Sequence, residues 1–404
     1  MSSTQNHQSH RQLFMQHVAL TTQAPIGLEV KRAEGVFIYD KNDRPHYDLI
    51  SGIGVANIGH CHPEVVKAVQ DQAAQYMHLT VYGEYIYAPQ VLLAKALADV
   101  LPEQLNNCYF VNSGAEAIEG AMKLAKRYTG RTEIISFKNA YHGSTHGALS
   151  IMGSEEYKNA YRPLLPNTKL LRYNNFDDIQ KITCRTAAVV IETVQGEAGV
   201  IVPITGYLKA VKQQCELVGA LYVADEIQVG FGRTGTLFAF EQYDIVPDVL
   251  CLAKAMGGGM PIGAFIANKN TMNTLSHNPI LGHITTFGGH PVSCAAALAN
   301  LQVLQRERYY DDVVRKANLF HQHLRHPAIK NLRTAGFLMA MQLDNFDNVL
   351  KVFNQCIAQG VIVEWFLFND DSVRMAPPLI ITDAQIIDVC IIIKKALDTV
   401  YNTL

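Results

Sequence analysis

Lys254 stands alone in the apolar run DVLCLAKAM, immediately before three consecutive glycines. An ammonium in such a run costs free energy unless it finds a partner or gives up its proton. A lysine that gives up its proton is a nucleophile toward aldehydes. Two other segments carry matching chemistry. The stretch LYVADEIQVGFGRTG ends an apolar run on Asp225 and Glu226, and a carboxylate at the carboxyl end of a strand faces the ligand crevice of an open α/β sheet. A buried Asp225 needs a donor there; a protonated heterocyclic nitrogen would serve, and so would an ion pair with Arg233. In FVNSGAEAIEGAMKLA a strand gives way to a helix at Ser113, Gly114 and Ala115. Their hydroxyl and N–H groups, at the positive end of that helix, suit a phosphate. Ser113 acting simply as an N-cap accounts for the same residues. The segment follows neither GxxxxGK[ST] nor GxGxxG, so a nucleotide is not indicated.

One ligand meets all three features. Pyridoxal phosphate (PLP) has a phosphate, a ring nitrogen and an aldehyde. A lysine snorkelling from an edge strand would explain Lys254 alone and leave the other two as coincidences.

These residues need a scaffold that brings strand ends together. NCYFVNSG, EIISFKNA, AAVVIETV, GALYVADEI, VLCLAKAM and GAFIANK are short, apolar, rich in β-branched or aromatic residues, and bounded by turn formers,. Helical patterns such as GYLKAVKQQCELVG separate some of them, which predicts an α/β fold with a largely parallel sheet covered by helices. This core is expected over residues 61–300. An amino-terminal piece, residues 1–60, contains VKRAEGVFIYDKNDRPHYDL, which reads as a hairpin; residues 301–404 form a second α/β piece.

The bulk properties narrow the partners. About half of the 404 residues are apolar and the net charge is −2, which gives no reason to expect nucleic acid or a membrane surface. The eight cysteines are scattered with no CxxC pair, as for reduced thiols in a cytosolic protein. The first twenty residues lack the apolar core of a signal peptide, and VCIIIKKAL is cut by Lys394 and Lys395 well short of a membrane span,. A cytoplasmic protein acting on small molecules is the expectation.

The sequence resembles the class III PLP-dependent aminotransferases of fold type I, especially the ornithine and acetylornithine branch. The resemblance runs nearly end to end through SGIGVANIGHCHPEV, NSGAEAIEGAMKLA, AYHGST, IETVQGEAGV, ADEIQVGFGRTG, LAKAMGGGMPIGAF, HITTFGGHPVSCAAALA and VRMAPPLIIT. It implies a large domain with a mostly parallel seven-stranded sheet, and a smaller α/β domain built from both termini. Lys254 stands where the family carries its Schiff-base lysine, and Asp225 matches the aspartate that keeps the pyridine nitrogen protonated. Ser113, Gly114 and Ala115 match the phosphate cup. Tyr141 matches the ring stacked on the cofactor, Ile227 would pack on its opposite face, and Gln228 would bond near its phenolic oxygen. Thr286 matches a threonine that reaches the phosphate from the other subunit of a homodimer. Arg374 matches the arginine that grips the substrate carboxylate, and Glu197 the glutamate that pairs with it otherwise. Glu192 occupies another characteristic acidic position, and His142 either bonds around the cofactor or fixes its loop.

Two departures bear on the substrate. Many relatives that use glutamate read FHGRT, where the arginine binds a second carboxylate; this chain reads YHGST, with Ser144 there. A serine cannot replace a bidentate guanidinium, so pyruvate or another monocarboxylate gains over 2-oxoglutarate. Ile53 stands where ornithine aminotransferases tend to carry a tyrosine, which brings the pocket closer to the acetylornithine type. Tyr82 and Tyr85 either line the donor pocket or pack at an interface. His60 and His62 in GHCHP belong to the family's turn before a helix begun by Pro63, rather than to a metal pair. The expected activity is transfer of an amino group from an amino acid or ω-amine to a 2-oxo acid; an aminomutase or decarboxylase on the same scaffold is the alternative.

Overall fold

A computed structural model describes residues 8–81 and 83–401. Its centre is a seven-stranded sheet in the order Asn107–Val111, Gly263–Ala267, Val249–Leu252, Leu221–Asp225, Thr186–Glu192, Glu133–Phe137, Thr168–Leu171. Gly263–Ala267 runs antiparallel to both its neighbours; the remaining pairs are parallel. All seven residues of Thr186–Glu192 and all five of Leu221–Asp225 are buried. Their unbroken apolar runs, without alternation, are what a sheet covered on both faces requires. The α/β fold and mostly parallel sheet agree with the expectation.

Gly263 is required by a close approach at the start of that antiparallel strand. A Cβ on it would lie 2.4 Å from the carbonyl oxygen of Ser113, so only glycine lets the strand pass against the turn that opens the helix Gly114–Thr129. That helix is capped at both ends: Ser113 Oγ accepts from Glu116 N at 3.2 Å, and Gly130 closes it with a φ of 69°,.

The amino-terminal piece goes beyond a hairpin. Val30–Glu34, Phe37–Asp40 and Pro45–Asp48 form an antiparallel meander, and Val361–Ile362 adds to it in parallel. The two ends of the chain therefore share a sheet. A second four-stranded sheet has the order Asn331–Ala335, Leu338–Gln342, Ser372–Met375, Glu364–Trp365. The helix Pro291–Glu307 runs unbroken across residue 300.

Between meander and core lies a turn of unusual hand. Ser51, Gly52, Ile53 and Gly54 all have positive φ, from 54° to 73°, and Gly54 N donates to Ile50 O at 2.8 Å. A left-handed helical turn costs roughly 1–2 kcal/mol for each residue with a Cβ, and a β-branched residue such as Ile53 is a genuine outlier there. Asp48, 2 % exposed, holds it. Its Oδ1 accepts from Ile50 N and Ser51 N at 2.8 and 2.9 Å, and Oδ2 from Gly52 N at 3.2 Å. His60 Nε2 lies 2.8 Å from Oδ2, so this histidine serves the turn. Replacing Asp48 by alanine leaves three N–H groups without their acceptor. We expect a loss of about 3–5 kcal/mol in urea unfolding, whereas Asp48→Asn should lose less because it keeps one acceptor oxygen.

Candidate active site

The carboxyl ends of the central parallel strands deliver the charged groups. Glu192 and Asp225 are register partners on adjacent strands, and Asp225 is paired in turn with Cys251. Two residues past the end of Val249–Leu252, Lys254 opens a tight turn with a φ of 48°. Ser113, Gly114 and Ala115 approach across the antiparallel strand. These residues except Cys251, with Tyr141, His142, Ser144, Glu197, Ile227 and Gln228, line one cavity of about 710 Å³. It adjoins a second, of about 420 Å³, which shares Tyr141, Glu197 and Lys254 and adds Ile53, Glu364, Trp365 and Arg374.

Lys254 faces this space without a hydrogen bond or ion pair among the described residues. Burial lowers its pKa from the ordinary lysine value, and the Arg374 guanidinium lowers it further against the pull of Glu197, Asp225 and Glu192. Both effects act in the direction of the nucleophilic amine anticipated from the sequence.

Asp225 is not paired with Arg233. Its Oδ2 lies 2.7 Å from His142 Nδ1, and its Oδ1 accepts from Ile227 N at 3.0 Å. His142 Nε2 in turn lies 3.0 Å from Ser136 Oγ. An ionised carboxylate only accepts, so Nδ1 carries the proton. Ser136 lay hidden in EIISF, since only the fold brings it to His142. Arg233, fully buried, is bound instead by Asn57 and by the carbonyl oxygens of Phe337 and Pro377. Glu226 turns away from the cavity: Thr193 Oγ1 and the N–H groups of Ala239 and Phe240 donate to it at 2.6–2.7 Å. Period-two alternation explains why neighbours in sequence serve opposite sides.

Glu192 accepts from Tyr141 N at 3.1 Å and Gly196 N at 3.0 Å, and burial pushes its pKa up to about 7. Tyr141 and Ser144 are linked through their hydroxyls at 3.2 Å. Arg374 Nη1 donates to Glu197 Oε1 at 2.7 Å, while its Nε and Nη2 have no partner. Leu367 N donates to the other Glu197 oxygen at 3.1 Å. Gln228 Nε2 is also buried without an acceptor.

Not every anticipated residue meets the cavity of its own chain. Thr286 is exposed and outside both linings. Tyr82 lies outside the described residues. Tyr85, 57 % exposed, lines neither cavity.

The residues present fit PLP. The helix Gly114–Thr129 points its first N–H groups, which have no intrahelical acceptor, into the cavity beside Ser113. A Cβ on Gly114 would crowd Ile227 at 2.9 Å. The unsatisfied Gln228 Nε2 and the unpartnered Lys254 amine supply a donor and a nucleophile in the same space.

Comparison with known proteins agrees. The family described as aminotransferase class-III matches residues 19–397. The chain is 37 % identical over 398 residues to the acetylornithine aminotransferase of Methanocaldococcus jannaschii, covering 96 % of each chain. In structure it is similar to a transaminase from the marine bacterium Virgibacillus, with a TM-score of 0.91 at 26 % identity, covering 97 % of this chain and 99 % of the other. It is also similar to the ornithine aminotransferase of Toxoplasma gondii, with a TM-score of 0.89 at 29 % identity over 96 % and 93 % of the two chains. That structure has partial occupancy of PLP at its active site. This chain belongs to the class III aminotransferases, PLP-dependent enzymes that move an amino group from an amino donor to an oxo acid.

Proposed function

We propose that Lys254 and Asp225 are the catalytic residues of this transfer, and that it runs by a ping-pong sequence in which the donor leaves before a 2-oxo acid enters. What supports this most is the convergence of an unpartnered lysine, a strand-end carboxylate and the Ser113 turn on one cavity. When bound, PLP supplies an aldehyde for the donor's amine and a ring that draws electrons from the donor carbon. Ser113, Gly114 and Ala115 would hold its phosphate. Asp225, oriented by His142, would keep a proton at the ring nitrogen, and Tyr141 and Ile227 would pack against the ring. Gln228 Nε2 would donate to the phenolic oxygen. Glu192 fixes the loop through Tyr141 N and Gly196 N. Lys254 Nζ takes the proton from the donor carbon. Arg374 binds a substrate carboxylate and is held by Glu197 when there is none. Ile53 and Ser144 wall the substrate side.

A homodimer with shared sites completes the proposal, with Thr286 reaching the partner's phosphate site. Its support is the apolar surface around Thr286: Ile280, Leu281, Ile284 and Phe287 are all at least half exposed, and such a patch marks an interface. We divide the chain into a large domain, 61–300, and a small one from 1–60 and 301–404, joined through the helix Pro291–Glu307. A cytoplasmic location accords with eight cysteines that are all free,.

Mixing the purified protein with amino donors and 2-oxo acids tests the proposal: net amino exchange supports it, while carbon dioxide release or internal rearrangement overturns it. The acceptor hangs on Ser144. With Ser144→Arg we expect the ratio of kcat/KM for 2-oxoglutarate over pyruvate to rise about ten-fold or more, the worth of one charge-assisted pair. An unchanged ratio would overturn our account of that position.

A further inference from the structure

Glu364 repeats, at the other end of the chain, the anomaly that marks Lys254: a single charge in an apolar run, here GVIVEWF. It sits on the strand Glu364–Trp365, directly opposite Arg374 in the antiparallel register. Directly opposed residues project to the same face of a sheet, and both side chains line the 420 Å³ cavity that opens beyond Lys254. The two carboxylates of that cavity are not equivalent. Glu197 is committed to Arg374 at 2.7 Å and to Leu367 N at 3.1 Å. The Glu364 carboxylate has no hydrogen bond or ion pair among the described residues.

Charge matching then decides what the cavity accepts. Arg374 is neutralised by Glu197, and no ion pair among the described residues joins Lys254 to Glu364. One carboxylate is left over, in a wall that includes Ile26, Ile53, Val55, Trp365 and Leu367 beside Tyr141. Burial raises the pKa of Glu364, while Arg374 opposes that rise. A half-buried carboxylate without a partner is a cost that a cationic ligand removes. On the other side, Ser144 offers no positive charge to a distal carboxylate.

Resting on the amino-transfer reading above, we propose that Glu364 is a specificity-determining residue that receives a second, free ammonium at the far end of the amino donor. The preferred donors are therefore α,ω-diamines or diamino acids rather than monoamines of the same length.

Two pairs of probes differ by that ammonium alone: 1,4-diaminobutane against n-butylamine, and ornithine against 5-aminopentanoate. The holoenzyme is mixed with each probe without an oxo acid, and the single-turnover change in cofactor absorbance is followed. The wild type should prefer the diamino member by at least ten-fold in every pair that reacts. Glu364→Gln, of the same size, should bring that ratio to within two-fold of unity. Glu364→Lys should invert it. Because each ratio is taken within one protein, a loss of folded enzyme cancels. A wild-type ratio near unity, or an unchanged ratio in Glu364→Gln, overturns the assignment. A rise in the KM for the oxo acid with the donor ratio unchanged also overturns it, by assigning Glu364 to Arg374 instead. If the wild type reacts with no amine at all, the amino-transfer reading fails, and the assignment with it.

Discussion

Lys254→Ala should lower turnover by at least about 10⁴-fold, the upper range for a positioned base that is also the nucleophile, while the protein stays folded. The cavity predicts both halves of this result. Lys254 Nζ has no hydrogen bond among the described residues, so its removal leaves no buried partner unsatisfied. Its loss also relieves a desolvated site of a polar group, so thermal stability should be unchanged or slightly raised. The Ser113 turn and the Asp225 carboxylate remain, and the variant should still retain PLP through dialysis, more weakly than the wild type. Borohydride treatment of the wild-type holoprotein, followed by peptide mapping, should place the reduced adduct on the peptide containing residues 248–263. An adduct on any other lysine, or none, would remove the basis of the mechanism.

The second large effect concerns charge at constant shape. Asp225→Asn keeps the size of the side chain and one oxygen for Ile227 N, which lies at 3.0 Å. It discards the negative charge that His142 meets at 2.7 Å. Removing a preorganised charge at the reacting centre costs catalysis far more than stability, and we expect kcat to fall about 10³-fold or more. Melting temperature and PLP content should move little. A variant that loses kcat and cofactor in parallel would show that Asp225 binds rather than activates. Ser136→Ala offers a graded control: it frees His142 Nε2 without touching the carboxylate, so a fall of less than ten-fold is expected.

What could be read from sequence follows a physical boundary. Lys254, Asp225 and the Ser113 turn were legible because each violates the local pattern: a charge, or a polar turn, where the run is apolar. The all-buried strands were legible for the converse reason, since they carry no alternation to interrupt. Partnership was not legible. The sequence offered Arg233 as a mate for Asp225, and the fold supplied His142, eighty-three positions upstream. Nor did it show where Glu226 goes, because only the fold brings Thr193, Ala239 and Phe240 to it. Glu364 and Asp48 depend on longer pairings. The first acquires meaning from Arg374 across a strand pair and the second from the backbone of the turn it holds, and a linear pattern encodes neither.

The left-handed turn at Ser51–Gly54 couples the shape of the donor pocket to the stability of the protein. Ile53 lines the cavity from a conformation that a β-branched residue occupies at a penalty,. Asparagine or glycine would relax that backbone while trimming the wall. Widening the pocket at this position is therefore the energetically downhill direction, so new substrate ranges can arise by mutation here without a compensating change elsewhere. Valine or threonine would keep the strain and gain little room. The same position thus favours drift toward bulkier donors over return to narrow ones.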